Sequence, residues 1–250
     1  MNSSTHRIAV FDTVRGLSVV SMILFHFTYD LVCIHHIQLD WFTTSLIKIW
    51  VPSISYSFIF IAGCMCVFSK NSFKRAGLYA LVALTIFVIT TLAHIDTPIN
   101  FGVFYCMAAC TFVEAILSYA SITPKDFISA ILLLFIFILL IPLPYGYIGI
   151  DALKISLPHI LYESPYFAWI GFPSATFSSG DYYPLLPYVF LFLSGSAFNR
   201  KLKQIGFPVW FETCKIPVIT QIGKQSLLIY LLHQPILLLI STLVTHYLVF

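Results

Sequence analysis

The sequence predicts an all-α fold, a polytopic membrane helical bundle of about seven transmembrane helices, with the N-terminus cytoplasmic and the C-terminus outside. Three observations predict it. Of 250 residues, 59% are hydrophobic and 9% charged, whereas a soluble domain carries roughly 25% charged residues. The apolar residues fall in runs that approach the roughly 20 residues of helix needed to cross the hydrocarbon core. The basic residues gather in alternate connecting segments.

The first run, about 12–34, carries Asp12 and Arg15 and lacks a small-residue cleavage site, so it reads as a retained helix and not a signal peptide. Runs at about 46–69, 75–94 and 99–120 follow. Those at about 126–143 and 183–199 are short, and tilt, local matching or a partly re-entrant path is expected to accommodate them. Residues 144–182 form the one long outer loop, where Pro158, Pro165 and Pro173 with Tyr and Trp suggest packing on the membrane surface. The last run is about 224–248. No repeat is evident, so 1–250 reads as a single integral-membrane domain.

Charge sets the expected orientation. Arg7, Lys70, Lys74, Arg75, Lys125, Arg200, Lys201, Lys203, Lys215 and Lys224 would lie inside. Only Lys48 and Lys154 would lie outside, with Asp40, Asp96, Asp151, Glu163 and Asp181. That is the positive-inside pattern. A net charge of +3 gives no footing for nucleic acid. The cysteines, Cys33, Cys64, Cys66, Cys106, Cys110 and Cys214, stand mostly in apolar segments without His or acid at zinc-like spacing. They are expected to be packing thiols, and no metal site is expected.

Polar groups inside the spans carry the chemistry, because ionisable residues in a membrane are costly and face a cavity or a partner. Arg15 and His26 are eleven residues apart, close to three helical turns, so they share a face and stand roughly 16 Å apart along the axis. Asp12 lies one turn before Arg15 and Asp30 one turn after His26, where its carboxylate is expected to accept from the imidazole. The last span, KQSLLIYLLHQP, places Ser226, Tyr230 and His233 or Gln234 at helical spacing, with Pro235 expected to kink the helix. Two outer stretches, HIDTPINFG and GDYYPLLP, bring His94, Asp96, Asn100, Asp181 and Tyr182. His26, Asp30, His94, Asn100 and Asp181 thus fall in the outer half. Arg15, Arg200, Lys201, Lys203 and Lys224, which suit a phosphate, fall in the inner half. That asymmetry suggests two substrates arriving from opposite sides.

The segments RIAVFDTVRGLSVVSMILFHFTYDL, SFIFIAGCMC, INFGVFYCMA, DYYPLLPYVFLFLSG and IGKQSLLIYLLHQP occur in this order over almost the whole chain. Together they resemble the bacterial members of the heparan-α-glucosaminide N-acetyltransferase catalytic-domain family. The spacing of Arg15 and His26 is also similar to the first-helix motif of the wider membrane acyltransferase superfamily. The resemblance implies an acyl-coenzyme A-dependent enzyme of the bacterial inner membrane. It would move an acetyl group from cytoplasmic acetyl-CoA to an extracytoplasmic sugar amine or hydroxyl. Arg15 with Asp12, and Tyr230, His233 and Gln234, are then expected around the coenzyme A. Asn100, Asp181 and Tyr182 are expected at the acceptor.

His26, held by Asp30, is the expected base. In the lysosomal relative the matching position is asparagine and the catalytic histidine lies just beyond the first span, which keeps His35 and His36 as alternatives. This chain has fewer spans than that relative and no large lumenal domain, so heparan sulfate does not carry over as substrate. A transporter or flippase for a polar or lipid-linked sugar, using a His/Asp proton relay, is the alternative, followed by a non-catalytic assembly factor. Whether the chain forms a homo-oligomer is left open.

Overall fold

The protein is described by a computed structural model covering residues 8–150 and 153–248, so Arg7 and Asp151 of the charge argument lie outside the described residues. Its α-helices in chain order are α1 (Ala9–Tyr29), α2 (Ser45–Cys66), α3 (Ser72–Ala93), α4 (Val103–Tyr119), α5 (Phe127–Leu140), α6 (Leu185–Ile205), α7 (Val209–Thr213), α8 (Pro217–Lys224) and α9 (Ser226–Leu248). The fold is nearly all-α, as predicted. One two-stranded antiparallel hairpin, β1 (Tyr147–Ile148) with β2 (Ile155–Ser156), lies in the long loop.

Among the described residues, five stretches are long and apolar enough to cross a membrane: Ala9–Ile34, Ser45–Cys66, Ser72–Ala93, Phe127–Tyr145 and Ser226–Tyr247. The fifth predicted run gains length because α5 passes into a 3-10 turn, Leu143–Tyr145. The fourth run forms the shorter apolar helix α4. The sixth corresponds to α6, where Leu186 is extended (φ −93°, ψ 133°) as the residue before a proline tends to be. Large apolar side chains stand exposed on α3, α5 and α9, among them Leu81, Leu84, Ile128, Ile131 and Leu239. Surfaces of that kind suit lipid and not water.

The chain divides into two compact units, one of residues up to Phe58 with those from Gly206 onward, the other Ile59–Ile205. In the first, α1 packs on α8 and α9. Its core is Val19, Met22 and Ile54, flanked by Phe25, Trp50, Ile222, Ile229 and Tyr230. Glycine permits the α1–α8 approach. A Cβ at Gly16 would stand 1.9 Å from the Ile219 carbonyl oxygen, and one at Gly223 would stand 1.8 Å from that of Asp12. Small residues that let backbones meet are a recurring device of membrane helix packing.

In the second unit α3 packs on α4, and α6 on both α4 and α5. The last turns of α2 meet α6 through a similar pair: a Cβ at Gly63 would stand 1.9 Å from the Phe192 oxygen, and one at Gly195 would stand 2.2 Å from that of Phe60. Asn71 caps α3 by accepting from the Lys74 N–H at 2.9 Å, and Asp126 caps α5 by accepting from Ser129 at 2.8 Å. Such caps satisfy backbone donors that have no partner within the helix.

Candidate functional site

The polar face predicted on α1 exists, within the first unit. Asp12 is buried and Arg15 mostly so. The guanidinium reaches the Asp12 carboxylate at 3.4 Å and the Gly223 carbonyl at 3.5 Å, the latter on α8. Both contacts are long for a charge-assisted bond, which is ordinarily nearer 2.7–2.9 Å. Beside them Thr13 and Thr220 share a buried hydrogen bond of 2.7 Å across the same helix pair.

At the other end of this face, α1 runs into a single π-turn, Asp30–Ile34. Such turns are rare and recur at functional sites. The Asp30 side chain is fully buried there and accepts from the Gln234 amide at 2.8 Å. The expected bond from His26 to Asp30 is therefore replaced. Gln234 on α9 occupies that carboxylate oxygen, and the His26 ring turns instead to His233, edge to face with ring centres 4.9 Å apart. Phe25 flanks His26 at 5.4 Å and Tyr230 flanks His233 at 5.3 Å.

His233 is the better defined ring. Its Nδ1 lies 2.6 Å from the Tyr230 carbonyl oxygen, and a carbonyl can only accept, so that nitrogen carries the proton. Its Nε2 is then the lone-pair nitrogen, and it is buried without a hydrogen-bond partner among the described residues. α9 continues through Pro235, which removes the N–H that would reach Leu231. The carbonyl one residue earlier is the one His233 uses. Tyr230, His233 and Gln234 thus sit together against α1 and its π-turn, where the spacing offers either His233 or Gln234 beside Tyr230.

The two other histidines differ sharply. His35 is half-buried, with Nε2 3.0 Å from Ser241 Oγ and Nδ1 3.5 Å from Thr245 Oγ1, both on α9. His36 is exposed and takes the left-handed backbone region, φ 58°.

Asn100, Asp181 and Tyr182 belong to the second unit, and the structure brings the two outer stretches together. Asn100 binds Ser179 Oγ through its backbone N–H and the Ser178 carbonyl through its side chain, each at 3.0 Å. The Tyr183 N–H donates to the Phe101 carbonyl at 2.7 Å. Tyr182 donates its hydroxyl to the Ala168 carbonyl at 2.6 Å, and its ring meets Phe177, which stacks on Phe101. Asp181 accepts from the Val103 N–H at the start of α4, at 3.4 Å. Burial pushes its carboxyl up to about 6, and that hydrogen bond pulls the other way. These side chains brace the loop to α4, with His94 and Asp96 exposed beside it.

Sequence reasoning missed a second polar centre. Glu114, in the apolar run TFVEAIL of α4, is 1% exposed. It pairs with Arg200 and accepts from Ser196 at 3.0 Å, both on α6. Asn199 beside them donates to the Cys64 carbonyl at 2.7 Å. The signal was present, because an acid in an apolar run calls for a partner. Cys64, Cys66, Cys106 and Cys110 are buried as expected, while Cys33 and Cys214 are exposed. Among the described residues no cluster of His, Cys, Asp or Glu is suited to a metal.

Fold and site together define a helical integral membrane protein with an ionisable, histidine-bearing face built into its first and last helices. The family model for heparan-alpha-glucosaminide N-acetyltransferase, catalytic, matches residues 7–235, and the chain belongs to that family of membrane acetyltransferases. Neither the comparison with curated proteins nor that with solved structures found a match.

Proposed function

We propose that the protein transfers an acetyl group from cytoplasmic acetyl-coenzyme A to a sugar amine or hydroxyl on the outer side of the bacterial inner membrane. The topology that goes with this reading has seven spans, the N-terminus inside and the C-terminus outside. The observation that carries it is the α1 face itself. Asp12 and Arg15 stand toward one end, and the His26–His233 ring pair stands about 16 Å along the helix toward the other. Membership of the family supports the reaction type.

In this mechanism Arg15, aimed by Asp12, binds the phosphate-bearing donor, whose thioester arm runs along α1. His26 accepts the proton of the attacking amine or hydroxyl as the new bond to the acyl carbon forms. The C–S bond breaks with its electron pair on sulfur, and the thiolate leaves toward the cytoplasm and takes up a proton. His233 offers Nε2 beside the His26 ring and stabilises the imidazolium, the role the sequence reading gave to Asp30. Asp30 with Gln234 fastens α9 to the π-turn and holds His233 in register. A histidine suits the task because its ordinary pKa, about 6.5, is near the working pH. Asn100, Asp181 and Tyr182 are the residues proposed to bind the acceptor, and His26 is proposed ahead of His36 as the base.

The test is free thiol release by purified protein given acetyl-coenzyme A and a panel of amino sugars and neutral sugars. Acceptor-dependent release is expected. Sugar movement across vesicles with no donor consumed would overturn the proposal in favour of a transporter.

A further inference from the structure

A cavity of the second unit, lined by none of the residues used in the proposed mechanism, carries positive charge. It has a volume of about 320 Å³ and is bordered by Val67, Lys125, Arg200, Lys203 and Gln204. Three of these five side chains are cationic and none is acidic. They come from separate elements: Val67 just after α2, Lys125 just before α5, and Arg200, Lys203 and Gln204 from the end of α6.

Arg200 is held from behind. The buried Glu114 carboxylate accepts a hydrogen bond from Nη2, and Ser196 Oγ, itself donating to Glu114 at 3.0 Å, accepts from Nε at 3.4 Å. A guanidinium has five N–H donors in a rigid plane, so these contacts fix its plane and leave three donors with no partner among the described residues. Lys203 Nζ stands 5.5 Å from the centre of the Phe68 ring, and Lys201 is drawn aside to Gln204 at 3.3 Å. Asp126, next to Lys125, turns its carboxylate to Ser129 at 2.8 and 2.9 Å. With Glu114 offsetting the Arg200 charge, the cavity keeps the positive charge of its two lysines, Lys125 and Lys203. A buried acid that orients an arginine is costly compared with apolar packing, and a preset guanidinium flanked by lysines matches a phosphate.

We propose that this cavity binds a phosphate group, with Arg200, Lys203 and Lys125 as its ligands and Glu114 as the positioning residue for Arg200. The volume is near the lower end for small-molecule sites, roughly 300–1,000 Å³. It suits a phosphate with part of what carries it. That phosphate comes either from an anionic phospholipid headgroup or from a soluble phosphate ester such as the nucleotide end of the acyl donor. The second source rests on the function proposed above.

The experiment uses the full chain in phosphatidylcholine nanodiscs, comparing wild type with the K125A/K203A double variant, whose two changes are at exposed positions. One arm measures retention of added phosphatidylglycerol by native mass spectrometry. The other measures the dissociation constants of coenzyme A and of 3′-dephospho-coenzyme A. Loss of lipid retention in the variant supports the site with a lipid source. A roughly tenfold weakening of coenzyme A in the variant supports it with a soluble source, and a smaller weakening for the dephospho form assigns the 3′-phosphate. If the variant matches wild type in both arms, the proposal is overturned. If wild type binds no coenzyme A at all, the proposed function fails, while the lipid arm still decides the cavity.

Discussion

The two units each bury polar and ionisable groups among apolar helices, and the groups they hold differ in kind. In the second, Glu114 is closed in by Arg200 and Ser196, a tight pair with one acid oxygen taking two donors. In the first, Arg15 meets Asp12 and Gly223 at 3.4 and 3.5 Å, and the His233 Nε2 is buried with no hydrogen-bond partner among the described residues. Both units use paired glycines to bring backbones together, Gly16 with Gly223 and Gly63 with Gly195, so close packing does not distinguish them. Nor does polar satisfaction, because each unit buries atoms with no hydrogen-bond partner among the described residues, Glu114 Oε2 and Asn199 Oδ1 in the second and His233 Nε2 and Gln234 Oε1 in the first. What differs is the kind of group, an acid–arginine pair against a pair of imidazoles. Buried polar groups are ordinarily paired, and an exception needs a reason. An acid–arginine pair held by short contacts fixes a structure, whereas an imidazole lone pair beside a second ring is suited to proton transfer.

The largest expected effect separates the units by function. His26→Ala should lower acyl transfer by about 10²–10⁴-fold, the usual contribution of a general base, while the thermal midpoint stays close to wild type. A fall in midpoint as large as the fall in rate would make His26 a packing residue and erase the contrast. The second unit should answer the other way. Glu114→Ala leaves the Arg200 charge without its buried partner, and breaking such a pair costs about 3–5 kcal/mol. Thermal unfolding should register that loss even under conditions where no donor is present.

Smaller effects sharpen the comparison. Arg15→Ala should raise KM for the donor about tenfold with kcat less affected, because a guanidinium that meets the donor's phosphate contributes mainly to binding. An equal loss in kcat would move Arg15 to the reacting atoms. The smallest effect concerns Asp181. Its carboxyl titrates near 6 in the folded protein and near 3.8 when unfolded, so between those values the folded state binds the extra proton. Stability contributed by this group is therefore highest below about pH 4 and declines as pH rises through 6. Asp181→Asn should flatten that part of the midpoint–pH curve, and an unchanged curve would show that the carboxyl titrates normally.

Much of this was legible in the sequence because it depends on local spacing. Arg15, His26 and Asp30 share a face by helical period alone, and Tyr230, His233 and Gln234 follow from the same period on the last helix. What spacing could not supply was partners across helices. Asp30 lies one turn from His26 and invited a bond within α1, yet the π-turn at Asp30–Ile34 directs it to Gln234. Glu114 was readable as an acid in an apolar run, but its partner lies 86 positions away. The rule that an intramembrane charge requires a partner identifies the need without naming the residue that meets it. Asn100, Asp181 and Tyr182 were singled out for their polarity, and the fold engages that polarity in bracing a loop.

The most direct test of the α1 face as the transfer centre is a sided assay in sealed vesicles, with labelled acetyl-coenzyme A on the cytoplasmic side and an amino sugar on the other. Wild type, His26→Ala and His233→Ala would be compared. The account predicts labelled sugar only on the far side in wild type, none above background with His26→Ala, and a reduced rate with His233→Ala. Full transfer by His26→Ala would contradict it.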